Sequence, residues 1–231
     1  ELNQSLAVLR AFVQQSTADA ESAKALTLIG RILTRQQQYQ DAILYLKRIP
    51  SSYRTPESNR LLGGNLVKTD HFSEALRLLQ PLLNEPFNLQ DRTALLQDLA
   101  LAADKNNQFL FALHYLQQLL PASRQPAAIL AQAHDILQNR IDDNSLEEAA
   151  FMWQGTEIGQ DARLQLARRA LVRQQPDNAN RQLQQLLASP VMFPYWQEAE
   201  ILLQRTGTDD WLNRDRVGIL LPLSGPYSSY G

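Results

Sequence analysis

The strongest constraint on this chain is a residue pattern that returns after 33 positions. In each copy an aromatic residue follows a glycine after nine positions, and an alanine follows after twelve. The two copies consist of Gly30, Tyr39 and Ala42, and of Gly63, Phe72 and Ala75. Small residues at matched positions let two antiparallel helices approach closely, and the aromatic residue fills the turn between them. Because one helix pair cannot bury its own apolar face, the period predicts a stack of helix pairs.

Weaker copies continue the pattern. Ala100 and Ala112 keep the twelve-residue spacing in a third copy, and Ala167 and Ala179 keep it in a fifth. The fourth copy, near Asp142, is poorer, and we expect a hinge there. The sequence thus predicts an all-α, right-handed solenoid of about five helix pairs with a further helix at each end. The predicted helices span residues 2–15, 19–35, 39–49, 56–68, 72–83, 89–104, 108–120, 126–138, 145–153, 161–173, 177–188 and 195–205.

Composition agrees with this fold and argues against several functions. Only 9 of the 231 residues are glycine and 44% are hydrophobic, which favours helices around an ample core. The net charge of -2 argues against nucleic acid as a partner, because phosphate binding needs a basic excess. No apolar run reaches the roughly 18 to 20 residues that cross a bilayer. The absence of cysteine excludes disulfides, thiolate metal sites and thiol catalysis.

The hydrophobic period changes near the C-terminus. The apolar run Val217–Leu221 is typical of a buried parallel strand, and a proline- and glycine-rich turn follows it directly. Ser224 and Gly225 lie in that turn, at the end of the strand where α/β sheets bind ligands. The predicted parts are a helical solenoid domain over 1–206, a linker over 207–216, and the first strand and ligand loop of a truncated α/β domain over 217–231.

Two resemblances go with this organisation. The spacing of Gly30, Tyr39 and Ala42 resembles that of tetratricopeptide (TPR) repeats, without their usual tryptophan. The run Val217–Tyr227 resembles the first strand and loop of type I periplasmic solute-binding domains. A TPR-like domain in front of such a domain resembles the LpoA-type penicillin-binding-protein activators.

That family resemblance implies a lipoprotein on the periplasmic side of the outer membrane. It also implies binding to a bifunctional peptidoglycan synthase, with peptidoglycan as a further candidate ligand. We expect a signal segment and the lipid anchor upstream of Glu1, since no transmembrane run occurs in the sequence itself.

Other functions fit the sequence less well. The helical domain could be an accessory to a periplasmic receptor for an amino-acid-like solute, or the chain could be a cytoplasmic TPR scaffold. An enzyme is the weakest interpretation, because no nucleophile, base or cofactor motif is present. His71, His114 and His134 lack a second histidine three or four residues away, so we predict no metal site.

The solenoid hypothesis also predicts a binding surface. In TPR-like stacks the first helix of each pair lines the inner face, and positions just after the small residue point outward. We take Gly30, Gly63 and Ala167 as equivalent positions. Most of the outward-pointing residues selected in this way are basic, and a basic surface suits an acidic peptide or a carboxylate terminus. The alternative is that these side chains are simply solvated. The selected residues are Arg31, Arg35, Arg60, Lys68 and Arg168.

Overall fold

A computed structural model describes residues 2–15 and 19–208. These residues form α-helices joined by short connections and 3-10 turns, without a β-strand among them, so the all-α prediction is confirmed for this part of the chain. The predicted linker and strand, with Ser224 and Gly225, lie outside the described residues. The helices are α1 (Leu2–Gln15), α2 (Ala20–Arg35), α3 (Tyr39–Lys47), α4 (Pro56–Lys68), α5 (Phe72–Leu79), α6 (Leu89–Lys105), α7 (Phe109–Leu119), α8 (Pro126–Asn139), α9 (Asp143–Met152), α10 (Glu157–Val172), α11 (Pro176–Leu187) and α12 (Trp196–Thr208).

The chain divides into two compact units between Ser145 and Leu146. In the first unit, α2 packs on α3, α4 on α5 and α6 on α7, and α4 also contacts both α2 and α6. In the second unit, α10 packs on α11 and α11 on α12. The division falls within the poor fourth copy, where the sequence predicts a hinge.

Four helix pairs share one turn geometry. In the first, Gln37 has a φ of 60°, its N–H bonds to the Thr34 carbonyl at 3.0 Å, and the next N–H bonds to the Leu33 carbonyl at 2.9 Å. This is a Schellman motif, which satisfies carbonyls left free at the end of a helix. The same pair of bonds recurs in the other three turns. The left-handed residues are Gln37, Asp70, Asn107 and Gln174.

The small residues keep a fixed distance from these turns. A glycine or alanine lies seven positions before each left-handed residue, and an alanine lies five positions after it. A Cβ on Gly30 would lie 2.6 Å from Leu46 Cδ2, and a Cβ on Gly63 would lie 2.4 Å from Leu79 Cδ2. Both leucines are almost fully buried. Each glycine therefore provides the space that a leucine of the second helix fills.

Several helix boundaries differ from the predicted ones, among them those of α10, α5 and α3. Helix α10 begins at Glu157 rather than at residue 161, because the Thr156 hydroxyl accepts the Gly159 N–H at 3.3 Å and caps it. Helix α5 ends at Leu79 rather than at residue 83, because Pro81 has no N–H and the chain continues as a 3-10 turn. Helix α3 ends at Lys47, two residues early.

We expect Gly63→Ala to destabilise the protein by up to about 2 kcal/mol, since the clash with Leu79 outweighs the gain in helix propensity. In a Leu79→Ala background the clash is gone, and the same change should stabilise by about 1 kcal/mol. Urea unfolding of the four proteins measures both differences. If Gly63→Ala changed the stability in the same direction in both backgrounds, the close contact with Leu79 would not explain its effect.

The turn geometry gives a second prediction. Gln37→Gly should stabilise the protein by up to about 1 kcal/mol, because glycine has no Cβ to disfavour a left-handed backbone. Gln36→Gly is the matched control, since Gln36 has a φ of -83° and gains nothing from glycine. Thermal unfolding should therefore show opposite shifts for the two variants. Equal shifts would argue against strain at Gln37.

Candidate functional site

The first-helix face is the surface formed by α2, α4 and α6 in the first unit. It carries four of the five basic residues that the sequence selects. Arg31 and Arg35 lie on α2, and Arg60 and Lys68 lie on α4. The fifth, Arg168, lies on α10 in the second unit.

Two of these arginines connect successive first helices. Arg31 on α2 forms an ion pair with Glu57 on α4, and both side chains are about half-exposed. Arg60 on α4 pairs with Asp91 on α6, with 2.8 Å between Nη2 and Oδ1. Such pairs near a surface contribute little net stability, about 0 to 1 kcal/mol each. A carboxylate from a partner could therefore exchange with Glu57 or Asp91 at low cost.

The other two cations are more accessible. Arg35 is exposed and makes no ion pair with any residue that the structure describes. Lys68 is exposed as well, and its charge acts on the Asp98 carboxyl of the neighbouring helix. Both side chains are therefore open to a partner on the first-helix face.

Asp98 lies against α4 where that helix has no side chain. A Cβ on Gly64 would come within 2.9 Å of Asp98 Oδ2, so the glycine leaves room for the carboxyl. Burial raises the pKa of Asp98 to about 6, while the charges of Lys68 and Arg60 act in the opposite direction. The carboxyl therefore changes charge close to neutral pH, next to two cations.

A buried amide fixes the position of α2 on α4. Asn65 is 1% exposed, and its Nδ2 donates to Thr34 Oγ1 at 2.8 Å and to the Leu61 carbonyl at 2.7 Å. Burying an amide without such bonds would cost free energy, so the Thr34 contact favours one placement of the helices. The first-helix face is thus held in a defined arrangement.

A cavity of about 480 Å³ opens beside Arg31. It lies between α2 and the connection that follows α3, with Ala23 and Thr27 among the lining residues. Leu28 and Tyr53, also in the lining, are 42% and 41% exposed. An apolar side chain could enter this cavity while a neighbouring carboxylate approached Arg31. The arrangement can therefore bind an extended peptide that carries both groups.

Arg168 has a different environment. Its Nε and Nη2 donate to the two carboxylate oxygens of Glu198 at 2.8 and 2.6 Å, and its Nη1 donates to Gln165 Oε1 at 3.0 Å. Gln165 is buried and in turn donates to buried Asp161 at 2.8 Å. This bidentate pair joins α10 to α12. The geometry assigns Arg168 a structural contact, and its role in partner binding stays a prediction.

The three histidines lie in separate local contacts. His71 Nδ1 is 3.1 Å from Thr69 Oγ1, and His114 Nε2 is 2.7 Å from Gln118 Nε2. His134 lies on α8. Within the described residues, no group of three His, Cys, Asp or Glu side chains could hold a metal ion. None of the helices described is long and apolar enough to span a membrane.

Sequence reasoning found the basic residues of this face but missed Asp98 and the role of Gly64. The sequence did indicate a gap beside two cations, because Gly64 lies four residues from both Arg60 and Lys68 on the same side of α4. The acidic partner could not be selected, because several carboxylates on α6 were possible. Only the packing of α4 on α6 identifies Asp98.

Comparisons with known proteins do not assign the chain to a family. No protein-family model matches it, and no curated protein has a significantly similar sequence.

The raised pKa of Asp98 predicts a pH-dependent effect on stability. Because the folded-state pKa of about 6 exceeds the ordinary value of 3.8, ionisation opposes folding as the pH rises from about 4 to about 6. Asp98→Asn cannot ionise, so its free energy of unfolding should rise relative to wild type over this range, by up to about 3 kcal/mol. Urea unfolding at pH 4 and pH 7.5 measures the difference. A difference that does not change with pH would contradict the assignment.

Proposed function

We propose that this chain is a non-catalytic protein–protein interaction domain built as a right-handed, TPR-like solenoid. The observation that carries the proposal is the recurrence of one turn geometry and one small-residue spacing in four helix pairs. Repeated helix pairs of this kind present extended surfaces rather than a single deep catalytic pocket. The first-helix face is the binding surface in this proposal.

The charges of that face define the partner chemistry. Arg35 and Lys68 are exposed cations, and the acidic partner of Arg31 can be exchanged. The neighbouring cavity accepts an apolar side chain. These features together favour an extended, acidic segment of a partner protein with an apolar anchor.

We further propose that the protein is a periplasmic lipoprotein of the LpoA type that activates a bifunctional peptidoglycan synthase. The support is the resemblance of the C-terminal run Val217–Tyr227, preceded by helical repeats, to the domain order of that family. The alternative is an accessory helical domain of a periplasmic receptor for an amino-acid-like solute. The same C-terminal run supports that alternative, because it resembles a solute-binding domain.

A direct binding measurement tests the proposal. The chain should bind a purified bifunctional penicillin-binding protein in a calorimetric titration. An Arg35→Glu, Lys68→Glu double variant should bind about tenfold more weakly or worse, because like charges then face the acidic segment. Arg77→Glu is the matched control, since Arg77 is exposed on the second helix α5.

The outcomes separate the hypotheses. Absence of binding by the wild-type chain would overturn the proposed partner. Because Arg77→Glu makes half the change in charge, a loss of binding free energy in Arg77→Glu at least half that in the double variant would indicate general electrostatic attraction rather than docking on the first-helix face. Binding of free amino acids by the protein, without binding to the synthase, would favour the receptor.

A further inference from the structure

A second cavity, of about 630 Å³, lies within the second unit. It is bounded by the connection between α9 and α10, by the first turns of α10 and by the end of α11. Five of the eight residues that line it have polar side chains, and none of the eight is acidic. The polar residues of the lining are Gln154, Gln160, Arg163, Gln185 and Ser189.

The buried side-chain oxygen of Gln160 has no hydrogen-bond donor. The residue is only 2% exposed, and its Oε1 accepts no hydrogen bond. Buried side-chain oxygens in proteins nearly always have a donor, so an orphaned one calls for an explanation. A ligand N–H or O–H in the cavity would supply that donor.

Arg163 adds a positive charge on the same side of α10, three residues further along. Its Nη1 donates to the amide oxygens of Gln185 and, at 3.4 Å, of Gln182. Among the described residues it forms no ion pair with a carboxylate. Arg168 on the same helix shows the contrast, because Glu198 holds it in a bidentate pair. The Arg163 charge is therefore left for a ligand.

The surrounding backbone holds the cavity in shape. Gly159 packs so closely on the Trp153 carbonyl that a Cβ there would lie 2.0 Å from the oxygen. Thr156 caps the same end of α10. Gly155 has a φ of 78°, and the place where its Cβ would point is open within 4 Å. The entrance to the cavity is thus unobstructed at Gly155.

We propose that this cavity binds the C-terminal carboxylate of a peptide. The carboxylate accepts hydrogen bonds from the Arg163 guanidinium, whose planar fork matches two oxygens. The N–H of the terminal residue donates to Gln160 Oε1. A fully ionised phosphate fits less well, because it has no donor for Gln160 Oε1. This inference is independent of the function proposed for the first-helix face.

An NMR titration of the ¹⁵N-labelled chain tests the inference. N-acetyl-trialanine with a free carboxylate should cause saturable shifts at the Gly155 amide and the Gln160 side-chain amide. The same peptide with a C-terminal amide should bind at least tenfold more weakly, because it cannot pair with Arg163. Arg163→Gln should weaken binding of the free acid by a similar factor, whereas Arg181→Gln, an exposed control on α11, should not.

Three results would overturn the inference. They are an absence of saturable shifts, equal affinity for the acid and the amide, and unchanged affinity in Arg163→Gln. Arg163→Lys is a second variant, which keeps the charge but loses the fork and should give an intermediate affinity. If neither variant folds, the comparison of the two peptides on the wild-type chain still decides.

Discussion

The structure depends on the close approach of the two helices in each pair. In two pairs a glycine on the first helix lies against a buried leucine of the second, Gly30 against Leu46 and Gly63 against Leu79. The left-handed residue between the helices sets the direction in which the second helix returns. Because packed interiors leave little free space, the contact and the turn must agree. Their fixed spacing along the sequence is the result of that agreement.

This dependence explains which parts of the fold could be predicted. The small residues and helix signals are local, so the sequence predicts nearly all of the helices and four of the five expected helix pairs. The predicted start of α10 was wrong by four residues, because Thr156 caps the helix in a turn where Gly159 packs closely on the Trp153 carbonyl. Neither the orphaned oxygen of Gln160 nor the carboxyl of Asp98 has a sequence signal of its own. The environment of each group results from tertiary packing, and the residue type alone does not reveal it.

The charges of the first unit have two uses. Arg31 and Arg60 join neighbouring first helices through acidic partners, yet such pairs near the surface contribute little to stability. Their cost of exchange is correspondingly small. Asn65, which is fully buried and hydrogen-bonded to Thr34, provides the more specific restraint on how α2 and α4 pack. In the proposed function, these ion pairs open to a partner while the helices keep their arrangement.

The residue that directly follows the small residue makes different contacts in different repeats. This position is occupied by Arg31, Gly64, Leu101 and Arg168 in the four pairs that share the turn geometry. Arg31 forms an exchangeable ion pair, Gly64 makes room for Asp98, and Arg168 is fixed by Glu198. The repeat therefore determines where a side chain lies, and its neighbours determine what it can do. A candidate binding residue in such a protein is therefore identified by a charge or hydrogen-bonding group without a matching partner, as with Arg163, rather than by its position in the repeat.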